Sequence, residues 1–291
     1  MSEQQKEPVD YGVAIQVFAD RIAPFILQFA KVAVPVVTAL AKVLPQIAEE
    51  LKTDWKAWVE KLDSLPAESK AAMAVASERG WFFGWHTGLT DLIELVDRIS
   101  NIAPEEIDGC MIDYYSLNFE AFTEQICSTY PERAVAIGAA SKAHLEFGSA
   151  GYYLSTPVFI AQADGLLSEF LGVESPLGIA REKKGEAYER LTTAGYLLKK
   201  KFESDPESLD RLAPFFTLHD SDFLKSGPAR EASTSPGSTF TALNRHQVMH
   251  GERSDYGSEQ NSLKSFSLLV FIGLHLRSVD QEAALREHDA E

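Results

Sequence analysis

The sequence predicts an all-α protein: a helical bundle in the C-terminal half, with an additional helical region before it. Three observations carry this. Apolar residues recur at helical spacing along most of the chain, and no alternating pattern of a half-buried strand is found. Helix-start chemistry precedes several of these runs, as at Pro104-Glu105-Glu106 and Ser258-Glu259. Residues 266–276 are apolar nearly all round, which marks a helix central to a core. With 291 residues, 45% hydrophobic and 24% charged, the composition is globular and the chain is long enough for one large domain or two modest ones.

Taken in order, the chain opens on MSEQQKEPVD, too acidic for the start of a signal peptide. Residues 22–48 are rich in Val, Ala, Leu and Ile but interrupted by Lys31 and Lys42 and by Pro24, Pro35 and Pro45. A spanning helix needs about 20 mostly apolar residues, so the run reads as short helices bent at the prolines, with binding at a membrane interface as the alternative. Ser64-Leu65-Pro66 suggests a turn and a helix start, and the Ala-rich stretch after it ends at Gly80. The aromatic cluster from Trp81 to Trp85 reads as core. Helices follow over 90–99 and 104–129. Pro131 suggests a new start and a domain boundary, giving residues 1–130 as a helical N-terminal region and 131–277 as a second helical domain.

Within that second region the pattern predicts a helix to Phe147, a glycine break at Gly148 and Gly151, and a long helix over 152–171. A loop over 172–178 precedes a charged helix over 181–201. The latter carries seven cations against three acids in a chain whose formal charge is −16, which makes it a candidate anion-facing surface, although a solvated helix face has the same composition. Residues 226–238 form a Gly/Pro/Ser loop. A short helix over 240–250, a polar turn over 251–258 and the final apolar helix complete the bundle. Residues 278–291, with five acids and one arginine, read as an acidic frayed tail.

The acidic balance argues against broad binding to nucleic acid or anionic membranes, though not against a small catalytic cleft for RNA. Cys110 and Cys127 lack metal-ligand or disulfide spacing and read as reduced thiols of a cytoplasmic protein. Two features could carry chemistry. The first is Asn244-Arg245-His246-Gln247-Val248-Met249-His250-Gly251. An arginine holds a phosphate by its planar fork, and a histidine takes or gives a proton near neutral pH. Those are the two parts needed to cleave RNA without a metal. The second is Asp164, the only charged side chain between Glu146 and Glu169. A lone carboxylate on an apolar helix needs a partner, and Arg245 or a histidine of the same segment is the expected one. A buried acid that merely ties two helices together is the alternative. His246 and His250 also share one helix face, as two zinc ligands would, but Gln247 stands where a zincin has its general-base glutamate. Neither glycine-rich nucleotide-binding signature nor a nucleophile elbow is present.

The Arg245-His246-x3-His250 segment resembles the R-x4-6-H motif of the HEPN superfamily. The wider stretch from Leu243 to Leu276, with its Tyr256-Gly257 turn, and upstream Tyr130-Pro131-Glu132-Arg133 and Tyr152-Tyr153-Leu154-Ser155-Thr156-Pro157 leading to Gln162-Ala163-Asp164-Gly165, are similar to HEPN domains of uncharacterised bacterial proteins and abortive-infection factors. The resemblance covers about residues 130–277 and leaves the N-terminal part unassigned as sensor, partner contact or oligomerisation element. It implies a homodimer with two such motifs facing one another, acting as a metal-independent endoribonuclease, a toxin or phage-defence effector, with no cofactor. Under that resemblance Arg245 stabilises the scissile phosphate and His250 is the general acid/base. His246 and Asn244 orient these groups or touch the phosphate, and Asp164 holds Arg245. Some members of the superfamily are non-catalytic interaction modules, which is the alternative; a zinc-dependent hydrolase is a more distant one.

Overall fold

A computed structural model describes residues 55–178, 180, 191–218, 221, 223–224 and 243–290. The run over 22–48, residues 181–190 of the basic segment and the loop over 226–238 lie outside them. Contacts divide the chain into two compact units, Met1–Asp63 with Ala284–Glu291, and Ser64–Ala283. Residues 130 and 131 both lie inside the second unit.

The described residues form helices and no strand, as the sequence predicts. They are α1 (Trp55–Glu78), α2 (Leu89–Asn101), α3 (Ile107–Thr129), α4 (Ala134–Glu146), α5 (Gly148–Leu171), α6 (Thr193–Lys201), α7 (Pro206–Arg211), α8 (Ala213–Thr217), α9 (Arg245–Met249), α10 (Glu259–Val270) and α11 (Arg277–Ala290). A 3-10 turn over Pro104–Glu106 leads into α3, and a π-helical turn over Phe271–Leu276 joins α10 to α11.

Two expectations need correction. No turn stands at residues 64–66, because α1 runs through Pro66. One backbone donor is lost there, but Leu65, Ser69, Ala72, Met73 and Ala76 make a buried stripe at helical spacing that holds the segment helical. Nor is the C-terminus frayed from Ser278. The helix continues because Val279 and Ala283 are buried, while Glu282 accepts from both terminal guanidinium nitrogens of Arg211 and Asp280 pairs with Lys201. The long helix α5 also begins earlier than predicted. Gly151 lies inside it, pressed against the backbone of Ala143 so closely that no side chain fits.

The core of the second unit forms where α5 packs between α4 and α10 and where α3 closes on α4 and α10. Phe119, Phe159 and Phe266 meet there with centroids 4.3–6.3 Å apart. The helix from Glu259 to Arg286 is long and apolar enough to cross a membrane by composition alone, yet 94% of its most apolar stretch is buried within the protein. Such burial is what a central core helix requires.

The aromatic segment after Gly80 (φ +79°) is core, as expected: Trp81, Phe82 and Phe83 are each at most 2% exposed. Its backbone is tied to α10 and the π turn by hydrogen bonds. The Phe82 amide donates to Ser267 Oγ at 3.2 Å and the Trp85 amide to His275 Nδ1 at 3.1 Å. His275 in turn donates from Nε2 to the Arg211 carbonyl at 3.0 Å, so its ring is neutral and bridges two backbone segments. A Cβ on Gly84 would overlap that ring.

Candidate functional site

The polar segment over 244–250 is held by both ends. Asn244 is 2% exposed and caps α9 by accepting the Gln247 amide at 3.2 Å on its side-chain oxygen. Leu243 and Val248 are buried beneath it. The Arg245 amide donates to the Phe223 carbonyl at 2.9 Å. After Met249 the chain turns at Gly251, whose φ of +68° lies in the left-handed region that glycine adopts without strain. The segment is therefore rigid at its start and presents Arg245, His246 and Gln247 half-buried and His250 exposed.

Arg245 Nη2 donates to Asp164 Oδ2 at 2.8 Å, with both side chains 23% exposed. The only charged side chain between Glu146 and Glu169 and the arginine of the polar segment are thus brought together across 81 residues of sequence, one of the pairings the sequence predicts. Asp164 is not a core position. The buried residues of α5 run along Ser155, Thr156, Phe159, Ile160, Ala163, Leu166 and Leu167, and Asp164 lies on the flank of that stripe. Arg245 Nε and Asp164 Oδ1 make no hydrogen bond within the protein. Both of these atoms are buried, so an anion could reach the pair only through the rest of the partly exposed Arg245 guanidinium, which Asp164 orients.

His246 and His250 stack one turn apart, with centroids 5.7 Å apart and planes 13° apart. Among the described residues, no group of three or more His, Cys, Asp or Glu side chains is placed to hold a metal ion. Asn244 faces inward as a cap, which makes it a residue that orients the segment rather than one that reaches solvent.

Three polar clusters escaped the sequence reading. Arg133 donates from Nη1 to Gln162 at 2.8 Å and from Nη2 to Glu169, and its guanidinium lies against Gly165. This clip joins residues 130–133 to residues 162–169 on the flank of α5 away from Asp164. His144, stacked 4.4 Å from Phe119, bonds Ser262, which bonds Ser155 at 2.6 Å. Burial holds the His144 ring down to about 4, hence neutral near pH 7. Lys264, 4% exposed, reaches Asp108 at 3.0 Å beneath the Trp81 ring. The one sequence signal for the last of these is that Lys264 is the only Lys, Arg, Asp or Glu between Glu259 and Arg277.

No family model matches the chain, and neither a curated protein nor a solved structure does.

Proposed function

We propose that the chain is a metal-independent endoribonuclease of HEPN type, cleaving RNA to a 2′,3′-cyclic phosphate. The observation that carries this reading is the Arg245–Asp164 pair at 2.8 Å, set one and a half helical turns before an exposed His250. In this reaction the ribose 2′-oxygen attacks phosphorus as its proton passes to a base. The bond from phosphorus to the 5′-oxygen breaks, and that oxygen is protonated as it leaves. Arg245, oriented by Asp164, stabilises the charge that builds on the non-bridging oxygens. His250 moves the protons, and His246, stacked on it, sets its ring orientation. No metal enters the scheme. A homodimer joining two such segments would supply one histidine as base and the other as acid, and the protein acts in the cytoplasm as a toxin or defence effector.

A non-catalytic interaction module is the second reading, favoured by the fact that Arg245 already has a carboxylate partner, as a structural tie would. RNA cleavage by Arg245→Ala and His250→Ala, beside the cellular toxicity of each, separates the two. Loss of both activities with unchanged folding supports the nuclease. Activity retained in both variants overturns it.

A further inference from the structure

Resting on the nuclease reading, we infer that Tyr153 and Tyr256 form a base-stacking subsite for the single-stranded RNA that runs from the Arg245–Asp164 pair. Tyr153 and Asp164 are eleven residues apart on α5, three helical turns, and so lie on the same side of that helix. Tyr153, Pro157 and Asp164 follow one another at four- and seven-residue spacing, and Ala161 between them is exposed. The span is about 16 Å at 1.5 Å per residue. It is covered by about five stacked nucleotides at about 3.4 Å each, or by fewer when the strand is extended.

The segment that leaves His250 returns to this far end. Tyr256 packs edge-on against Tyr153, with centroids 5.1 Å apart, and its hydroxyl reaches the Tyr153 carbonyl at 3.4 Å. The Tyr256 carbonyl accepts from Asn261 Nδ2 at 3.0 Å and from the Ser258 amide at 2.8 Å, so the residue is fixed in place. Gly257 approaches the Tyr153 ring so closely that a Cβ there would overlap it. The Tyr153 ring is thereby braced by the Gly257 backbone and by Tyr256, while the residue as a whole remains 39% exposed. A braced, partly exposed aromatic residue of this kind stacks a nucleobase without reading its identity. It also supplies affinity for RNA that the chain's acidic charge does not.

The test uses the full chain and 2′-fluoro oligoadenylates of two to six nucleotides, which lack the attacking hydroxyl. The subsite predicts an affinity gain of about tenfold as the strand lengthens enough to reach the tyrosines, since one stacked base is worth about that much. Tyr153→Leu abolishes the gain and Tyr153→Trp keeps it, with the salt dependence unchanged in both. Arg245→Ala weakens every length alike and lowers the salt slope by about 0.7, as loss of one phosphate contact does. If the length dependence persists in Tyr153→Leu, the pair is only a strut for the 251–258 turn, and the inference fails while the nuclease reading stands. If no length binds the wild type, the nuclease reading fails and this subsite with it.

Discussion

Replacing Lys264 by methionine tests the packing of the second unit most sharply. Lys264 is 4% exposed, its ammonium is 3.0 Å from Asp108 Oδ1, and it sits 5.4 Å from the Trp81 ring centroid. Asp108 also accepts from Trp81 Nε1 at 2.7 Å and lies 3.9 Å from Arg79. Burial by itself pushes the Asp108 carboxyl up. The Lys264 charge, the hydrogen bonds from Trp81 and Lys264, and Arg79 together outweigh it, and the carboxyl ends below its ordinary range. Breaking a fully buried pair costs about 3–5 kcal/mol. Asp108 keeps 30% of its side chain in water and two other partners, so about 2–3 kcal/mol is the expected loss. Methionine retains the apolar stem, so packing changes little.

For a unit of this size the loss lowers Tm by roughly 5–10 °C. The pH dependence follows from the depressed carboxyl. Its stabilisation is present above the unfolded carboxyl value, about 3.9, and is lost as pH falls through the lower folded value. In Lys264→Met the largest influence holding the carboxyl down is gone and Asp108 protonates more readily than in the wild type, so the deficit measured by urea unfolding shrinks between pH 7 and about pH 4. A deficit below about 1 kcal/mol, or one equal at the two pH values, would refute the assigned network.

Other perturbations have equally definite outcomes. Asp164→Asn removes the charge that orients Arg245 across a pair 23% exposed on each side; RNA cleavage falls by about tenfold while stability drops by less than about 2 kcal/mol, read by kinetics and by urea unfolding. Gly84→Ala drives a methyl into the His275 ring and lowers stability by about 3 kcal/mol or more by the same unfolding measurement. His144 is held at about 4 by burial against an ordinary 6.5, so the unfolded chain binds its proton first. Stability from this group is full above pH 6.5 and is lost toward pH 4, and His144→Gln flattens that part of the urea-midpoint profile.

Much of this architecture was legible from local chemistry. Ser258 caps α10 by accepting the Asn261 amide, and Pro104 opens the turn into α3, because both signals act within one helical turn. The Asp164–Arg245 pair was legible because Asp164 is the only charge between Glu146 and Glu169, although it lies on the flank of the buried stripe and not within it. What stayed hidden depends on tertiary packing. Pro66 reads as a helix start, yet the apolar stripe around it outweighs one missing hydrogen bond. Nothing in the sequence around Lys264 or Arg133 announces their partners, and only the fold sets Asp108, Gln162 and Glu169 beside them. The acids after Ser278 read as a tail, because nothing local announces that Arg211 and Lys201 meet them.

The central claim is that Arg245 and His250 cleave RNA without a metal. Cleavage by the purified chain in excess EDTA, with His250→Ala beside it, tests this most directly. The account predicts cleavage by the wild type alone, leaving a 2′,3′-cyclic phosphate. Cleavage that EDTA abolishes, or that His250→Ala performs as well as the wild type, would contradict it.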